Sequence, residues 1–211
     1  MRATDVLIDG LGRVAGNVHA LLSDIEPDIL NRAPASGANT IAWLVWHLTR
    51  VQDSHIADVA DTDEVWVSGG WVDRFDLPFS PADSGYGHSA EDVARVVVDD
   101  AELLRGYYDA THAVSVDYIA SLTDSDLDRI VDTNWDPPVT LGVRLVSVVD
   151  DDAQHIGRRL ISAGCSSDRR RHARGGDGGG RPTLGLQAGR PPHPKARNRS
   201  LGCPRVRTCS P

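Results

Sequence analysis

The fold is decided by residues 41–51, which read IAWLVWHLTRV. Apolar residues recur there at intervals of three and four, the spacing that places them on one face of an α-helix. Asn39 or Thr40 is a suitable N-cap residue before this run, and the pattern continues to Ala60. The stretch therefore predicts a helix that begins near Thr40 and whose apolar face packs into a core.

Three further segments carry the same helical period, at residues 4–23, 89–122 and 141–156. A Ser-x-x-Asp pattern that begins at Ser89 resembles a capping box, and Gly164 is a suitable stop for the last helix. We expect the helix that begins at Ser89 to be the longest. Because no segment shows strand-like alternation over a useful length, the sequence predicts an all-α protein built as a four-helix bundle.

The connections between these segments have a different composition. Residues 61–88 mix tryptophan with glycine, proline and serine, which removes any helical period and predicts a long structured loop between helices two and three. Residues 123–127 resemble a short capped turn, and the Asp136-Pro137-Pro138 sequence favours an extended approach to the last helix.

The composition changes abruptly after Gly164. The 211 residues are 40% apolar and 25% charged, which excludes a wholly disordered, collagenous or coiled-coil protein. Residues 1–164 hold 11 arginines and 28 acidic residues, a formal charge of −17, and we expect them to form the bundle. Residues 165–211 carry a formal charge of +9 from ten arginines, one lysine and two aspartates, with all three cysteines and no aromatic residue.

This basic segment, rich in glycine, proline and arginine, has almost nothing to pack, so we expect residues 165–211 to be disordered. Its composition also fits a frameshifted end of the gene. A nucleic-acid-binding arm is disfavoured, because the segment has no aromatic ring for base stacking and phosphate attraction alone is non-specific.

The sequence does not predict a membrane protein or a covalent acyl-transfer enzyme. No run reaches about 18 consecutive apolar residues, and Asp5, Asp9 and Arg13 interrupt any signal-peptide core. We therefore expect a soluble, cytoplasmic protein. Residues 1–164 contain no cysteine and no Gly-x-Ser-x-Gly elbow, which gives a Ser or Cys nucleophile little support.

Histidines are the candidate functional residues. His47 lies in the apolar run of the second helix, where its ring needs a hydrogen-bond partner or a metal; taken alone, a hydrogen-bonded core histidine is favoured. His155 follows Asp151 by four residues, so the two share a helix face about one turn, or ~6 Å, apart and could chelate one ion. His55 is eight residues from His47, about 12 Å along a helix, and the two cannot bind the same ion.

His47, Asp151 and His155 together would form an open three-ligand site suited to zinc or another borderline divalent cation. The alternative is a solvated acidic face on which His155 makes an ordinary ion pair. Spacing alone supports the two interpretations about equally. The remaining histidines of the bundle have no partner pattern and are expected at the surface or in loops: His19, His88 and His112.

Three stretches taken together resemble the DinB-like superfamily, in particular its actinobacterial mycothiol transferase (DUF664-like) branch. They read IAWLVWHL at residues 41–48, WDPPVTLG at residues 135–142 and DDAQH at residues 151–155. The resemblance covers about residues 1–160. It implies a four-helix bundle with a long crossover and a divalent metal, zinc or alternatively nickel.

By the same resemblance, the metal ligands would be His47 from the second helix and the Asp151/His155 pair from the last. Relatives with an isomerase role often carry Glu at the position of Asp151, and Asp152 is an alternative carboxylate here.

The activity implied by the resemblance is that of a metal-dependent transferase, or an isomerase-like enzyme. It would use a low-molecular-weight thiol such as mycothiol on a small electrophile, because a metal lowers the pKa of a bound thiol or water. We expect small molecules as partners, with neither a membrane nor nucleic acid involved. The alternatives are a non-catalytic DinB-like stress or small-molecule-binding bundle, with a homodimer as one form, and an inactive fragment.

Overall fold

The computed structural model describes the backbone of residues 1–172 and the side chains of residues 1–157. Residues Met1–Asp168 form one compact unit. The described helices, in chain order, are α1 (Ala3–Leu22), α2 (Pro27–Leu30), α3 (Ile41–Ala60), α4 (Val65–Ser68), α5 (Trp71–Phe75), α6 (Ala90–Arg95), α7 (Ala101–Ser121) and α8 (Leu141–His172). The long helices α1, α3, α7 and α8 confirm the predicted all-α bundle. The sequence predicts disorder for residues 165–211; the backbone of residues 165–172 belongs to α8, and residues 173–211 lie outside those described.

Helix α3 begins and ends where the sequence predicts. The side-chain oxygen of Thr40 accepts a hydrogen bond from the backbone N–H of Trp43 at 3.1 Å, which satisfies one of the free donors at the helix start. The helix ends at Ala60, and the C-cap residue Asp61 has a φ of 55°, in the left-handed region. Local capping therefore fixes both ends of the helix that carries His47.

The predicted single helix from Ser89 to Leu122 is wrong. Ser89 and Asp92 form the expected capping box, but α6 ends at Arg95 and α7 begins only at Ala101. Val96 and Val98 between the two helices are buried whereas Val97 is 52% exposed, the alternation of an extended chain. The carboxamide of Asn31 pairs with the backbone of Val98, donating to its C=O at 2.8 Å and accepting from its N–H at 2.9 Å.

The last helix, α8, is longer than α7, contrary to our expectation, and has 32 residues against 21. It also continues past Gly164, the predicted stop, to His172. Helical periodicity after residue 156 is too weak in the sequence to predict this extension.

Short elements inside the predicted loops were missed. The connection of residues 61–88 contains α4 and α5, each of four or five residues. Two short antiparallel strands precede α8, β1 (Ile130–Asp132) and β2 (Val139–Thr140). The capped turn is confirmed as a 3-10 helix of Asp124–Asp128, with a capping box formed by Thr123. Elements this short carry no periodic signal, and tertiary packing determines them.

The core lies between the four long helices and extends under α4 and α5. Its larger part surrounds the tryptophans of α3 and of the connection of residues 61–88. A smaller part surrounds Leu11 of α1 and Leu145 near the start of α8. None of the described helices is long and apolar enough to cross a membrane.

Replacing Leu145 with alanine is expected to lower the free energy of unfolding by about 2–5 kcal/mol, because a buried leucine loses its contacts and leaves a cavity. Leu145 is 1% exposed, whereas its neighbour Val146 is 57% exposed. Urea denaturation of Leu145→Ala and of the control Val146→Ala measures both effects, and the control should change by less than about 0.5 kcal/mol. Equal small effects at both positions would contradict the bundle core.

Candidate metal centre

His47 is a buried imidazole with a defined tautomer. The residue is 7% exposed, and its Nδ1 forms a 2.5 Å hydrogen bond with the backbone carbonyl of Ser84. A carbonyl can only accept, so Nδ1 carries the proton of the neutral ring and Nε2 carries the lone pair. This is the arrangement in which a histidine binds a metal through Nε2.

The charge state of His47 also suits a ligand. Burial lowers its pKa to about 4, while the hydrogen bond to Ser84 and the carboxylate of Asp151 act in the opposite direction. The nearby imidazoles of His155 and His88 lower the pKa further. The ring is therefore neutral at neutral pH, and only a neutral imidazole can donate a lone pair to a metal.

The structure brings His47 and His155 together across about a hundred residues of chain. Their ring centroids are 4.8 Å apart, and the angle between the ring planes is 29°. Trp43 also packs on His47, with a centroid distance of 4.4 Å. Asp151, one turn before His155, is close enough to affect the pKa of His47. Its Oδ2 is buried and accepts no hydrogen bond from the described part of the chain.

No group of three His, Cys, Asp or Glu side chains within residues 1–157 is arranged closely enough to hold a metal ion. The donor chemistry nonetheless fits a divalent cation, because a neutral buried imidazole lies near a buried carboxylate oxygen that lacks a hydrogen-bond partner in the described chain.

Asp152, the alternative carboxylate, differs from Asp151 in its surroundings. It is fully buried, and neither of its oxygens has a hydrogen-bond partner among the described residues. Burial raises the pKa of Asp152 well above its usual range, and the charge of Asp151 adds to the effect. Asp152 in turn helps to raise the pKa of Tyr108, for which burial is the main cause. The charge of Asp152 therefore affects the pKa of Tyr108 on α7, and the charge of Asp151 affects the pKa of His47.

His55 is held outside this group by a different contact. Its Nδ1 accepts a hydrogen bond from Arg144 at 2.9 Å, and Arg144 also bonds the carboxylate of Asp132 at 3.0 Å. Burial lowers the pKa of His55, and the charge of Arg144 lowers it further. These contacts tie α3 to the start of α8 and to strand β1.

Residues 81–88, which we call the strap, form a part of the site that the sequence analysis missed. The strap supplies the Ser84 carbonyl to His47, and Arg50 holds it on α3 by donating to the carbonyls of Pro81 and Asp83, each at 3.3 Å. Gly85 has a φ of +86°, and a Cβ atom there would lie 2.9 Å from the ring of Trp46. Only glycine fits this close approach, and the Gly85-Tyr86-Gly87 sequence is the only hint of it.

His88 lies in a loop, one of the two locations predicted for it, but its side chain is not at the surface. Its side chain is 7% exposed. The indole N–H of Trp43 donates to its Nδ1 at 3.1 Å, and its Nε2 lies 3.2 Å from a carboxylate oxygen of Asp83. The ring stacks near Trp46 and Phe79, with centroids 6.0 and 4.7 Å away.

A buried ionic network supports the strap and α4 from beneath. Arg50 is 1% exposed and pairs with Glu64 at 2.9 Å and with Asp53 at 3.7 Å. Asp53 accepts the backbone N–H groups of Val65 and Trp66, at 2.8 and 2.7 Å, at the start of α4. The hydroxyl of Tyr107 donates to the same carboxylate at 2.8 Å. The network joins α3, α4 and α7.

The chain is similar in sequence and fold to known proteins. The sequence profile described as the DinB superfamily matches residues 11–158. The chain belongs to the DinB superfamily. A crystal structure described as a conserved protein from Enterococcus faecalis is 31% identical to this DinB-superfamily chain and superimposes with a TM-score of 0.73, covering 77% of this chain and 95% of that one. No curated protein matches the chain in sequence.

In the metal-free DinB-superfamily bundle, the contribution of His47 to stability should be lost as the pH falls from about 6.5 to about 4, whereas the raised pKa of Asp152 acts in the opposite direction. Burial lowers the pKa of His47 from 6.5 to about 4. Between these values the unfolded chain binds a proton that the folded chain does not, so unfolding is favoured by on the order of 1–3 kcal/mol. Burial also lowers the pKa of His55 and His112, which adds to the same trend.

Urea denaturation at pH 7.5 and pH 4.5 measures this dependence. His47→Asn is the matched variant, because its amide N–H replaces Nδ1–H and cannot titrate. The variant should show a shallower dependence on pH than the wild type, and equal slopes for the two proteins would contradict the burial of His47.

Proposed function

We propose that this chain is a metal-dependent enzyme whose site binds zinc, or alternatively nickel, through His47, Asp151 and His155. The observation that carries the proposal is the buried, neutral ring of His47. Its one N–H donates to the carbonyl of Ser84, and its centroid lies 4.8 Å from that of the His155 ring. The DinB superfamily includes metal-dependent enzymes, which supports the same proposal.

Asp151 is our choice for the carboxylate ligand. The charge of Asp151 raises the pKa of His47, whereas the charge of Asp152 raises the pKa of Tyr108. Burial favours the neutral form of Asp152. Neighbouring residues of a helix point about 100° apart, so the two carboxylates serve different sides of α8. A neutral carboxylic acid is also a poor metal ligand.

The reaction we propose is transfer of a low-molecular-weight thiol, such as mycothiol, to a small electrophile. A bound divalent metal supplies a lowered pKa for a coordinated thiol or water. Trp43, which is 6% exposed and packs on His47 with ring centroids 4.4 Å apart, keeps water from that side of the ring and so strengthens electrostatic interactions there. The likeness of three sequence stretches to the mycothiol transferase branch supports the choice of thiol.

A non-catalytic bundle that binds a small molecule in stress, as a monomer or homodimer, is the second candidate. One observation favours it, namely that the side chains of residues 1–157 do not form a closed three-ligand group. In this case the imidazoles and Asp151 stabilise the core alone.

Metal analysis of the purified protein distinguishes the two. We expect one zinc or nickel ion per chain, and a metal-free preparation should take up one equivalent in a calorimetric titration. Asp151→Asn should weaken this binding by about 10-fold or more, because the variant keeps the shape but loses the charge. Asp152→Asn is the matched control and should bind as the wild type does.

Turnover is then measured with mycothiol and a chromogenic aryl halide, with and without the metal. An absence of metal binding in the wild-type protein would sink the enzyme proposal and leave the binding bundle. Metal binding that depends on Asp152 instead of Asp151 would reverse the assignment of the carboxylate.

A further inference from the structure

The tautomer of His47 depends on one backbone carbonyl, that of Ser84 in the strap. Ser84 lies between Asp83 and Gly85, which are joined by a hydrogen bond. One oxygen of the Asp83 side chain accepts the backbone N–H of Gly85 at 2.7 Å. The other oxygen of the same carboxylate lies 3.2 Å from Nε2 of His88. The Asp83 carboxylate therefore bridges the turn that presents the carbonyl to His47.

Hydrogen-bond chemistry fixes the direction of the contacts at His88. An indole N–H can only donate, so Nδ1 of His88 accepts the hydrogen bond from Trp43 and the proton of the neutral ring resides on Nε2. That proton faces Asp83. The chain of contacts runs from Trp43 on α3, through His88 and Asp83 at the two sides of the turn, to Ser84 and back to His47 on α3.

We propose that His88 is a positioning residue of the candidate metal centre: through Asp83 it holds the Ser84 carbonyl against Nδ1 of His47 and so keeps the lone pair of His47 on Nε2. Which ring nitrogen of a histidine carries the proton is set by the hydrogen bond that the other groups offer. When the carbonyl moves away, the proton of His47 can occupy Nε2, and that nitrogen can no longer bind a metal. The role for the metal rests on the proposed function, whereas the role for the tautomer does not.

Arg50 offers a competing explanation, because it also holds the strap through the carbonyls of Pro81 and Asp83. Those bonds fix the backbone before Ser84. They do not touch Gly85 or His88, which lie after it. The second half of the turn is held by the backbone bond from the N–H of His88 to the C=O of Gly85 at 3.2 Å and by the His88 side chain through Asp83. Replacing the side chain of His88 removes only the second of these contacts.

Two amide substitutions separate the halves of the His88 ring. His88→Gln places an amide N–H near the position of Nε2 and keeps a donor for Asp83. His88→Asn places a carbonyl oxygen near the position of Nδ1, which keeps an acceptor for Trp43 and loses the donor for Asp83. Both variants lose the ring and its stacking on Phe79 and Trp46, so they are matched for packing.

The first readout is the ¹⁵N spectrum of the His47 ring in the metal-free protein, which reports directly which nitrogen is protonated. We expect the wild type and His88→Gln to show a protonated Nδ1 and an unprotonated Nε2. His88→Asn should show a substantial population with the proton on Nε2. Asp83→Asn leaves a single acceptor oxygen for the N–H groups of Gly85 and His88 and puts an NH2 donor in place of the other oxygen, so it should behave like His88→Asn and provides a second test should that variant fail to fold.

The second readout is zinc affinity measured by calorimetry on the full chain. Loss of a group that orients a ligand typically costs 10–100-fold in affinity, so His88→Asn should bind zinc about 10–100-fold more weakly than the wild type and His88→Gln should recover most of that loss. His19→Gln, at an imidazole that is 49% exposed on α1, should change neither readout.

The outcomes distinguish this inference from the proposed function. An unchanged His47 tautomer in both His88→Asn and Asp83→Asn overturns the inference, whatever the zinc affinity. Equal tautomer changes in His88→Gln and His88→Asn also overturn it, because packing of the ring would then be the cause. A wild type that binds no zinc but shows the expected tautomer changes overturns the proposed function and supports the positioning role.

Discussion

Replacing His47 with alanine is expected to abolish zinc binding and any thiol transfer while leaving the bundle folded. The residue supplies a neutral, buried nitrogen donor beside His155. Loss of a group that merely orients a ligand costs about 10–100-fold in affinity, so loss of the ligand itself should cost more than about 100-fold. His155→Ala should have the same effect. Calorimetric titration with zinc measures the affinity, and circular dichroism measures the retained helicity.

The controls lie on the same helices. His55→Ala removes an imidazole of α3 that bonds Arg144, and it should leave zinc affinity within a few-fold of the wild type. Full zinc occupancy in His47→Ala would contradict the proposal that His47 is a metal ligand, and with it the proposed enzyme. A similar loss in His55→Ala would mean that the fold near Asp151, and not the ligand set, controls binding.

Replacing Asp53 with asparagine should lower the free energy of unfolding by about 3–5 kcal/mol, the cost of breaking a buried ion pair by removing one partner. Asp53 is 3% exposed and receives two backbone N–H groups and the hydroxyl of Tyr107. An asparagine keeps one acceptor oxygen and presents an N–H to the remaining donors. It also leaves the buried charge of Arg50 with Glu64 alone.

Urea denaturation measures this loss. Asp58→Asn, an exposed aspartate on the same helix, is the control and should change stability by less than about 0.5 kcal/mol. The Asp53 variant should also loosen α4, which amide hydrogen exchange at Val65 and Trp66 reports. A loss of less than about 1 kcal/mol in Asp53→Asn would show that the network is not a main support of the fold.

Helix α3 could be predicted from the sequence because all that defines it is local. Its apolar stripe and the cap at Thr40 lie within the segment itself, and so the predicted and observed ends agree. The break after Arg95 could not be predicted, because the pairing of Val98 with Asn31 crosses 67 residues. Periodicity over a window cannot detect a hydrogen bond of that range.

The candidate site divides in the same way. His155 and Asp151 are recognisable by their spacing on one helix. Their grouping with His47 is one of two interpretations that the residue types and spacing support about equally, and the resemblance of three stretches to a known family favours it. The strap could not be predicted, because its decisive group is the backbone carbonyl of Ser84, which every residue type carries. The burial of His88 depends on Trp43, 45 residues away, and leaves no pattern around His88 itself.

The contact between Asn31 and Val98 has a consequence for self-association. Val96, Val97 and Val98 form a β-branched, extended run, and an unpaired N–H and C=O in such a run can template pairing with another chain. The carboxamide of Asn31 occupies both groups of Val98. A single side chain thus takes the place of a neighbouring strand, and at Val98 a second copy of the protein finds no free backbone groups on which to begin an intermolecular sheet.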